Sequence, residues 1–594
     1  MNSLKKLLDL LTASERKRAV LLLVMILVMA LMDTIGVASI MPFIAVLANP
    51  DLVETNAVLA FIYERLNFND QQSFLFGLGV VVFVLLVLSL IFKAITTYVQ
   101  LRFTLVTEYS LSKRLVEGYL HQPYSWFLNH HSAELGKTVL SEVGDVITYG
   151  MMPLMVFIAQ SFVAIALLTL LMIVDPMVSI VAGSVLGVVY GLIYILISGF
   201  LSRIGSERVQ ANKERFIVLN EAFGAAKEVK VGGLEQVYIS RFSVPAKTYA
   251  VHQASAQVIA QLPRFVLEMI AFGGMLLLVL ILMSRSGSFT NAIPIIALYA
   301  FAGYRLMPAL QQIYGSFSQL RFSSPSLDLV HTELMSLHSE EVIPSETDTM
   351  QFTQAIDLKD VSFTYPKAAT AALHGVNLSI PADSTVGFVG ATGGGKTTTI
   401  DIILGLLEPQ QGELYVDGNL ITADNRRQWQ KVLGYVPQQI YLADDSIAAN
   451  IAFGVEPTKI DQDALERAAK IANLHDFVMN EMPQKYATHI GERGVRISGG
   501  QRQRIGIARA LYHNPRVLVL DEATSALDNL TEQAVMDAVN NLSHEITIIL
   551  IAHRLSTVRH CDQIYLLEKG RIKAEGTYDA LIQKSETFRA MASK

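Results

Sequence analysis

The chain has 594 residues, of which 52% are hydrophobic and only 17% are charged, and its formal net charge is −6. Soluble domains average about 25% charged residues, so the composition excludes an ordinary soluble protein, and the lack of any basic block excludes a nucleic-acid partner. The single cysteine, Cys561, excludes an internal disulfide and indicates that the soluble part lies in a reducing cytoplasm.

Residues 1–322 contain six apolar runs, each long enough to cross a bilayer, which takes about 20 residues. The runs lie at 19–48, 74–99, 151–174, 177–200, 265–283 and 292–313. Long polar stretches at 101–150 and 201–264 carry most of the Lys and Arg of this half, which predicts that they, the N-terminus and the C-terminal domain face the cytoplasm. These stretches lack the Gly and Pro content of linkers, so spans two to five are expected to continue into the cytoplasm as helices.

The external segment 49–72 mixes apolar with polar residues, among them Leu59, Phe61 and Ile62. This pattern predicts a short amphipathic helix at the outer membrane surface. A partly ordered connector is the alternative.

Residues 323–351 lose the long apolar runs and gain Ser, Glu and Asp, which predicts a linker. The soluble domain is then expected at 352–594.

The soluble domain contains a glycine-rich loop between a β-like run at 385–389 and an apolar helix at 398–407. This context is typical of a Walker A loop, in which backbone N–H groups wrap the phosphates of a nucleotide. Lys396 is expected to neutralise the β- and γ-phosphates, and the Thr397 hydroxyl to bind Mg²⁺. The predicted ATP-binding residues of the loop are Gly390, Ala391, Thr392, Gly393, Gly394, Gly395, Lys396, Thr397 and Thr398.

A second nucleotide motif is the continuous apolar run at 516–520, which predicts a strand buried on both faces and ends in two carboxylates. Asp521 is expected to hold Mg²⁺, and Glu522 to polarise the water that attacks the γ-phosphate.

The run Ile497, Ser498, Gly499, Gly500 and Gln501 precedes a helical stretch and resembles the signature motif of the ABC transporter superfamily. The family usually has Leu at the first position, where Ile is a conservative change. The order of motifs resembles the exporter type, so the implied fold is an α-helical membrane domain with six spans fused to an α/β P-loop nucleotide-binding domain.

The resemblance implies roles for further residues. Tyr365 would stack on adenine, Gln438 would sense Mg²⁺ and help bind ATP, and His553 would contact the γ-phosphate. Residues 491–494 resemble the X-loop and 525–528 the D-loop. The predicted catalytic residues are Glu522, His553 and Lys396, and the metal-binding residues are Thr397, Gln438 and Asp521.

Each ATP in this family lies between the Walker A loop of one domain and the signature of another, where Ser498, Gly499, Gly500 and Gln501 would contact it. One chain has one of each, so the resemblance implies a homodimer with two sites. The turns near 122–130 and 227–236 are expected to act as levers that transmit the motion of the nucleotide-binding domain to the membrane domain. Trp126 and Phe127 would dock near Gln438. A hydrophobic corner of the helical bundle is the alternative reading of that aromatic pair.

Charged residues inside spans are costly and mark a cavity or a partner. Lys93, Arg264 and Arg305 are predicted to form a basic belt for an anionic substrate. The alternative is that Arg305 pairs with Asp33 while Lys93 and Arg264 reach the inner interface.

The stretch 33–56 resembles the start of bacterial lipid-linked oligosaccharide flippases. That resemblance implies a polyprenyl-pyrophosphate-linked glycan as cargo and a bacterial inner membrane as location. An exporter of lipids, drugs or peptides is the main alternative, and an ATP-gated channel or regulatory subunit is a remote one.

Overall fold

The structure is a computed structural model that describes residues 2–592 apart from 49–52, 54–55, 66–67, 69, 175, 287–292, 338–348, 367, 492–493, 523–536, 538–544 and 553. The chain divides into two compact units. The first comprises Met1–Gln122 and His130–Ser339, and the second comprises Pro123–Asn129 and Glu340–Lys594.

The described residues of the first unit form helices and no strand. Its helices are α1 (Asn2–Leu10), α2 (Ala13–Ala38), α3 (Ile40–Ala48), α4 (Ala57–Arg65), α5 (Gln71–Leu120), α7 (Ser132–Lys137), α8 (Val143–Val146), α9 (Met152–Val174), α10 (Pro176–Gly224), α11 (Ala226–Val231), α12 (Glu235–Ser286) and α13 (Ile293–Ser336). The short helix α6 (Tyr124–Phe127) belongs to the second unit.

Four of these helices are much longer than a bilayer is thick. Helices α5, α10, α12 and α13 contain 50, 49, 52 and 44 residues. At about 1.5 Å per residue they are roughly 65–80 Å long, against a hydrocarbon core of about 30 Å. Helices α5, α10 and α12 therefore extend well beyond any membrane span, as the composition of the polar stretches predicts, and α13 does so without having been predicted to.

Three helical segments in the described part of the chain are long and apolar enough to cross a membrane: Ala13–Gly36, Gln71–Leu120 and Ser132–Ile173. They overlap the first three predicted spans, although the first predicted span, 19–48, is divided between α2 and α3. The fourth to sixth predicted spans lie on α10, α12 and α13, where many side chains fall outside the described residues.

A group of buried charges joins three helical segments of the first unit. Two π-helical turns, Thr138–Glu142 and Ile147–Met151, lie between α7 and α9. Glu142, fully buried on the first turn, lies 3.6 Å from Lys137 and 3.6 Å from Arg208 of α10. Ser326 of α13 donates a hydrogen bond of 2.8 Å to Glu142.

The predicted boundary at 322–323 falls inside a helix, because α13 continues to Ser336. The serines that suggested a linker are internal: Ser323 and Ser326 are 2% and 0% exposed. Ser323 bonds to the Tyr149 carbonyl, as Ser326 does to Glu142. These polar side chains form hydrogen bonds to buried groups. Composition alone cannot distinguish such a buried serine from one that is exposed to water.

The prediction of a short helix within 49–72 is confirmed for α4 (Ala57–Arg65). Leu59 of this helix packs with buried Val53, with Val46 of α3 and with Phe74 of α5. The segment is therefore tied to the bundle by an apolar cluster.

The described residues of the second unit form two sheets. Its strands are β1 (Ala355–Phe363), β2 (Leu373–Pro381), β3 (Thr385–Val389), β4 (Gln411–Val416), β5 (Asn419–Leu420), β6 (Leu433–Val436), β7 (Val517–Asp521), β8 (Thr547–Ile551), β9 (Gln563–Glu568) and β10 (Arg571–Gly576). An antiparallel sheet has the order β2-β1-β4-β5. A mixed sheet has the order β10-β9-β3-β8-β7-β6, parallel except at β10.

The described residues of the second unit also form α-helices after α6. They are α14 (Lys396–Ile403), α15 (Arg426–Gln430), α16 (Ile447–Ile451), α17 (Gln462–Ile471), α18 (His475–Glu481), α19 (Gly499–Leu511), α20 (Tyr578–Lys584) and α21 (Glu586–Ala592).

The mixed sheet is covered on both faces. Val517 and Val519 of β7 belong to a core shared with β1, β2 and α14, whereas Leu518 and Leu520 belong to a core shared with α17 and α19. All five residues of β7 are buried, which confirms the predicted strand.

Candidate nucleotide-binding site

The parallel strands bring the two nucleotide motifs to one edge of the mixed sheet. Strands β3 and β7 flank β8 and run parallel to it, so their carboxyl ends meet at the same edge. The glycine-rich loop follows β3, and Asp521 ends β7. Strand β8 ends at Ile551, and the predicted switch residue His553 lies outside the described residues.

The glycines of the loop are needed for its shape. Gly390 and Gly395 have φ angles of +146° and +100°. A Cβ atom at Gly390 would lie 2.1 Å from the Leu567 carbonyl oxygen. A Cβ at Gly394, where the family often has serine, would lie 2.9 Å from the oxygens of Ala391 and Leu567. The loop is thus a narrow cradle of main-chain groups, which fits a phosphate chain.

Lys396 is the first residue of α14 and is 6% exposed. Its ammonium group donates hydrogen bonds of 2.7 Å to the Gly390 carbonyl and 3.2 Å to the Ala391 carbonyl. Burial lowers the pKa of Lys396, and the carboxylates of Glu522 and Asp521 oppose that shift. The charge therefore lies within the loop, near both acidic residues.

Glu522 is held by a residue that lies 84 positions earlier in the sequence. Gln438, which follows β6, donates a hydrogen bond of 2.8 Å from Nε2 to Glu522 Oε2. Glu522 has a φ of +50°, a left-handed conformation that is strained for a residue with a side chain. Its N–H donates to the Ile551 carbonyl at 3.2 Å.

The residues predicted to bind Mg²⁺ offer a suitable donor set. Thr397, Asp521 and Gln438 carry hydroxyl, carboxylate and amide oxygens, the donors that Mg²⁺ prefers. Within the described residues, no group of three or more His, Cys, Asp or Glu could hold a metal by itself. The phosphate oxygens of a nucleotide would have to complete the coordination.

A third acidic residue, Asp401, lies near Asp521 and was not predicted. Burial raises the pKa of Asp401 on α14 to about 6, and the carboxylate of Asp521 adds to the shift. Asp401 in turn raises the pKa of Tyr365, although burial is the larger cause. Its only sequence signal is an acidic residue among Ile400, Ile402 and Ile403 of α14.

Tyr365, the predicted adenine platform, is fastened to the Walker A helix. Its hydroxyl lies 3.1 Å from Thr398 Oγ1, and its ring makes an edge contact with Phe363 at 5.1 Å. The ring position is therefore set by α14 and β1 together.

The signature residues begin a helix. Ser498 is the N-cap of α19: its hydroxyl accepts a bond from the Gln501 N–H, while Gln501 Oε1 accepts one from the Ser498 N–H. Ile497 is 8% exposed, consistent with an apolar requirement at that position. Gly499 and Gly500 form the first turn of α19, whose N–H groups and dipole favour an anion. The D-loop segment 525–528 lies outside the described residues, as does part of the X-loop.

The predicted lever near 122–130 contains α6, which belongs to the second unit. Burial raises the pKa of Tyr124, and the Asp401 carboxylate adds to it. Burial is the largest cause of the raised pKa of Tyr435, and Tyr124 adds to it after Asp521 and Asp401. Within this unit α6 thus lies near Asp401 and Tyr435, and Trp126 and Phe127 contact each other edge to face.

The predicted lever at 227–236 contains the short helix α11 and a turn in which Gly233 has a φ of +62°. Val229 of α11 is buried, whereas Val231 is 91% exposed and Phe223 near the end of α10 is 75% exposed.

The basic residues predicted to bind substrate have different surroundings. Lys93 lies 3.7 Å from Asp33, which is 6% exposed and also accepts a bond from Ser89. Arg264 is exposed and donates to Glu268 at 2.7 Å. Helix α13 carries Arg305, whose side chain lies outside the described residues.

These features define a class. The mixed sheet carries a Walker A cradle and an Asp-Glu pair at a strand end, as a P-loop nucleotide-binding domain does. The same chain has a helical unit with segments long and apolar enough to cross a membrane, so its class is a membrane protein with a P-loop nucleotide-binding domain. Residues 19–304 match the ABC transporter transmembrane region and residues 373–525 match the ABC transporter family, together about three quarters of the chain. The chain belongs to the ABC transporters and carries a transmembrane region and an ATP-binding domain on one polypeptide.

Relatives share part of the chain at high identity. An ATP-dependent lipid A-core flippase of Saccharophagus degradans is 44% identical over 233 residues, 39% of this chain and 39% of its own. A Staphylococcus aureus protein named provisionally as a multidrug export ATP-binding/permease protein is 43% identical over 238 residues, 40% of this chain and 41% of its own. The match thus spans about two fifths of these relatives.

A solved bacterial Atm1-family ABC exporter with ATP bound resembles the whole chain. The TM-score is 0.79, with 98% of this chain and 99% of that chain covered at 22% identity. This likeness shows the exporter fold.

Proposed function

We propose that this protein is an ATP-driven exporter that moves an amphipathic substrate across a bacterial inner membrane. The observation that carries the proposal is the arrangement around Glu522, which is hydrogen-bonded to Gln438 beside the charge of Lys396. A carboxylate at a strand end, next to a phosphate cradle, is placed to orient and polarise an attacking water.

The residues divide the chemistry of hydrolysis among them. The loop 390–398 and Lys396 bind the phosphates, Tyr365 supports the adenine, and Thr397, Asp521 and Gln438 hold Mg²⁺. A bound Mg²⁺ neutralises charge on the phosphates. Glu522 polarises the water, and His553 contacts the γ-phosphate.

Two copies of the chain are proposed to form the working unit, each with six spans and with its nucleotide-binding domain in the cytoplasm. Each ATP would lie between the Walker A loop of one copy and the Ser498 end of α19 of the other. Phe223 near the end of α10 and Val231 at the end of α11 are exposed apolar side chains that a second copy would cover.

The favoured cargo is a polyprenyl-pyrophosphate-linked oligosaccharide. Helix α4, tied to the bundle through Leu59, is where the resemblance to oligosaccharide flippases expects the lipid tail to be met. Arg264 remains a candidate for the pyrophosphate, as does Arg305. Lys93 contributes less positive charge, since Asp33 balances it.

A general lipid or drug exporter is the second candidate, and the two relatives support it through their names, lipid A-core flippase and multidrug export protein. An ATP-gated channel or regulatory subunit is disfavoured because Glu522 and Gln501 are both present.

The experiment is ATPase activity of the purified protein in lipid nanodiscs, with and without a polyprenyl-pyrophosphate glycan. Stimulation by the glycan lipid but not by phospholipids or drugs would support the favoured cargo. Glu522→Gln should lower turnover at least about a hundredfold while ATP still binds. Stimulation by drugs or ordinary lipids alone would favour the second candidate.

A further inference from the structure

A polar cavity of about 410 Å³ lies within the first unit, between α9, α12 and α13 and the π-helical turn before α9. This volume is within the range of about 300–1,000 Å³ that is usual for ligand pockets. It is separate from the nucleotide site, and the roles assigned above use only one of its lining residues, Arg264.

Glutamine side chains dominate the polar lining of this cavity, which we call the glutamine cavity. Gln257 and Gln261 lie one turn apart on α12, and Gln311 and Gln319 lie two turns apart on α13, with Gln312 beside them. Each amide has two donor hydrogens and an acceptor oxygen. Among the described residues, none of these five side chains has a hydrogen-bond partner.

The charge of the lining is nearly neutral. Arg264 is the one basic residue among those that line the cavity, it shares its charge with Glu268, and no described lining residue is acidic. Met152 and Val156 of α9 and the ring of Tyr314 supply apolar surface. A ligand group that is neutral, has many hydrogen-bond donors and acceptors and carries some apolar faces matches this lining. A strongly charged ligand group matches it less well.

The position of the cavity along its helices matches the depth of a lipid headgroup. Met152 to Val174, Arg264 to Ser286 and Ile293 to Gly315 each span 22 helical steps. At about 1.5 Å per residue this is roughly 33 Å, or about 31 Å for a helix tilted by about 20°. With the proposed topology, in which Val174, Ser286 and Ile293 mark the outer side, all three helices place the cavity at the inner boundary of a core of about 30 Å.

We propose that the glutamine cavity binds the neutral sugars of a lipid-linked glycan at the inner membrane boundary, and that its amides select sugar-bearing lipids over the same lipid without sugar. Sugar hydroxyl and acetamido groups both donate and accept hydrogen bonds, as glutamine amides do. The glycan would enter from the cytoplasmic leaflet while its lipid tail stays in the bilayer. This inference rests on the proposed function and identifies the sugars as the part of the cargo that the protein recognises.

The test compares two probes on the full-length protein in nanodiscs, both measured as equilibrium affinities. One is polyprenyl-pyrophosphate chitobiose and the other is sugar-free polyprenyl pyrophosphate. The wild type should prefer the sugar-bearing lipid by about tenfold or more. The double variant Gln261→Leu with Gln311→Leu should reduce that preference to about twofold or less and leave the affinity for the sugar-free lipid unchanged.

The matched control is Gln210→Leu, which replaces an exposed glutamine of α10 outside the cavity and should keep the full preference. If the double variant does not fold, the single variants Gln261→Asn and Gln311→Asn shorten the amide by one methylene, and each should lower the preference about threefold.

The outcomes separate the two proposals. A wild type that binds the sugar-bearing lipid with a preference unchanged in the glutamine variants would overturn this inference and leave the flippase proposal standing. A wild type that binds neither lipid would overturn both. Equal binding of a lipid-anchored neutral tetrapeptide, lost in the same variants, would show that the amides read peptides and would overturn the assignment to sugars.

Discussion

The side-chain amide of Gln438 donates a hydrogen bond of 2.8 Å to Glu522 Oε2, across 84 residues of sequence. Gln438 follows β6 and Glu522 follows β7, and these two strands are parallel neighbours. The bond ties the predicted catalytic carboxylate to the residue predicted to sense Mg²⁺, so a displacement of Gln438 would remove one contact of Glu522. A shift of the segment after β6 would therefore change how the predicted catalytic carboxylate is held.

Gln438→Ala should lower ATP turnover by about ten- to a hundredfold, because Glu522 loses the group that orients its carboxylate. ATP binding without Mg²⁺ should stay within about twofold, since the phosphate cradle is untouched. Phosphate release and nucleotide affinity measure the two effects. The adjacent exposed Gln439→Ala is the control. Equal losses in both variants would show that the bond to Glu522 does not matter for hydrolysis.

Gly390→Ala should abolish measurable ATP binding, because its Cβ would lie 2.1 Å from the Leu567 carbonyl oxygen in a loop that cannot move without losing its shape. Gly393 is the matched position: it also has a positive φ, +78°, but a Cβ there meets nothing within 4 Å. Gly393→Ala should therefore cost only backbone strain, about 1–2 kcal/mol, and weaken ATP binding about tenfold. Nucleotide titration measures the ATP affinity of both variants. Equal losses of affinity in the two variants would refute the cradle geometry.

Asp401→Asn should stabilise the protein at pH 7 and have little effect at pH 4. Burial raises the pKa of Asp401 from 3.8 to about 6, so the folded protein binds this proton more tightly than the unfolded chain does. The stabilisation from that proton is complete below about pH 4 and is lost as the pH rises through 6. The gain at pH 7 should be on the order of 2 kcal/mol after allowance for partial exposure.

Melting temperatures of the wild type and Asp401→Asn between pH 4 and 8 test this expectation. The exposed Asp424→Asn serves as control and should follow the wild-type curve. Parallel curves for the wild type and Asp401→Asn would show that Asp401 titrates as an ordinary exposed carboxylate.

Glu142→Ala should destabilise the first unit by about 3 kcal/mol or more, because it leaves the buried Lys137 without its carboxylate and removes one of two acidic partners of Arg208. The control is Glu117→Ala, which removes a partner of Lys113 in an exposed pair at 3.4 Å and should cost less than about 1 kcal/mol. Thermal unfolding in detergent, monitored for the full-length protein, compares them. Similar melting temperatures would contradict a structural role for the buried cluster.

The nucleotide site could be read from the sequence to an unusual extent. Its residues follow two buried strands, β3 and β7, and parallel strands place their carboxyl ends at one edge wherever they lie in the sequence. The loop from Gly390 and the pair Asp521 and Glu522 thus had to converge. The prediction of a linker from residue 323 was wrong, because α13 continues to Ser336. Composition shows that Ser326 is polar but does not show that its hydrogen-bond partner is the buried Glu142.

Local sequence pattern by itself determined the class of this protein. Long apolar runs indicate membrane spans because burying charged side chains in lipid is costly. The glycine-rich loop indicates a phosphate cradle because its φ angles and close backbone contacts exclude side chains. Only the tertiary structure decided which distant groups meet, such as Lys93 with Asp33 and Gln438 with Glu522, and that glutamines of α12 and α13 line one cavity. Such contacts depend on how helices and strands pack over separations of tens to hundreds of residues. Spacing along the chain carries no record of that packing, so partners and cavities emerge only when the chain has folded.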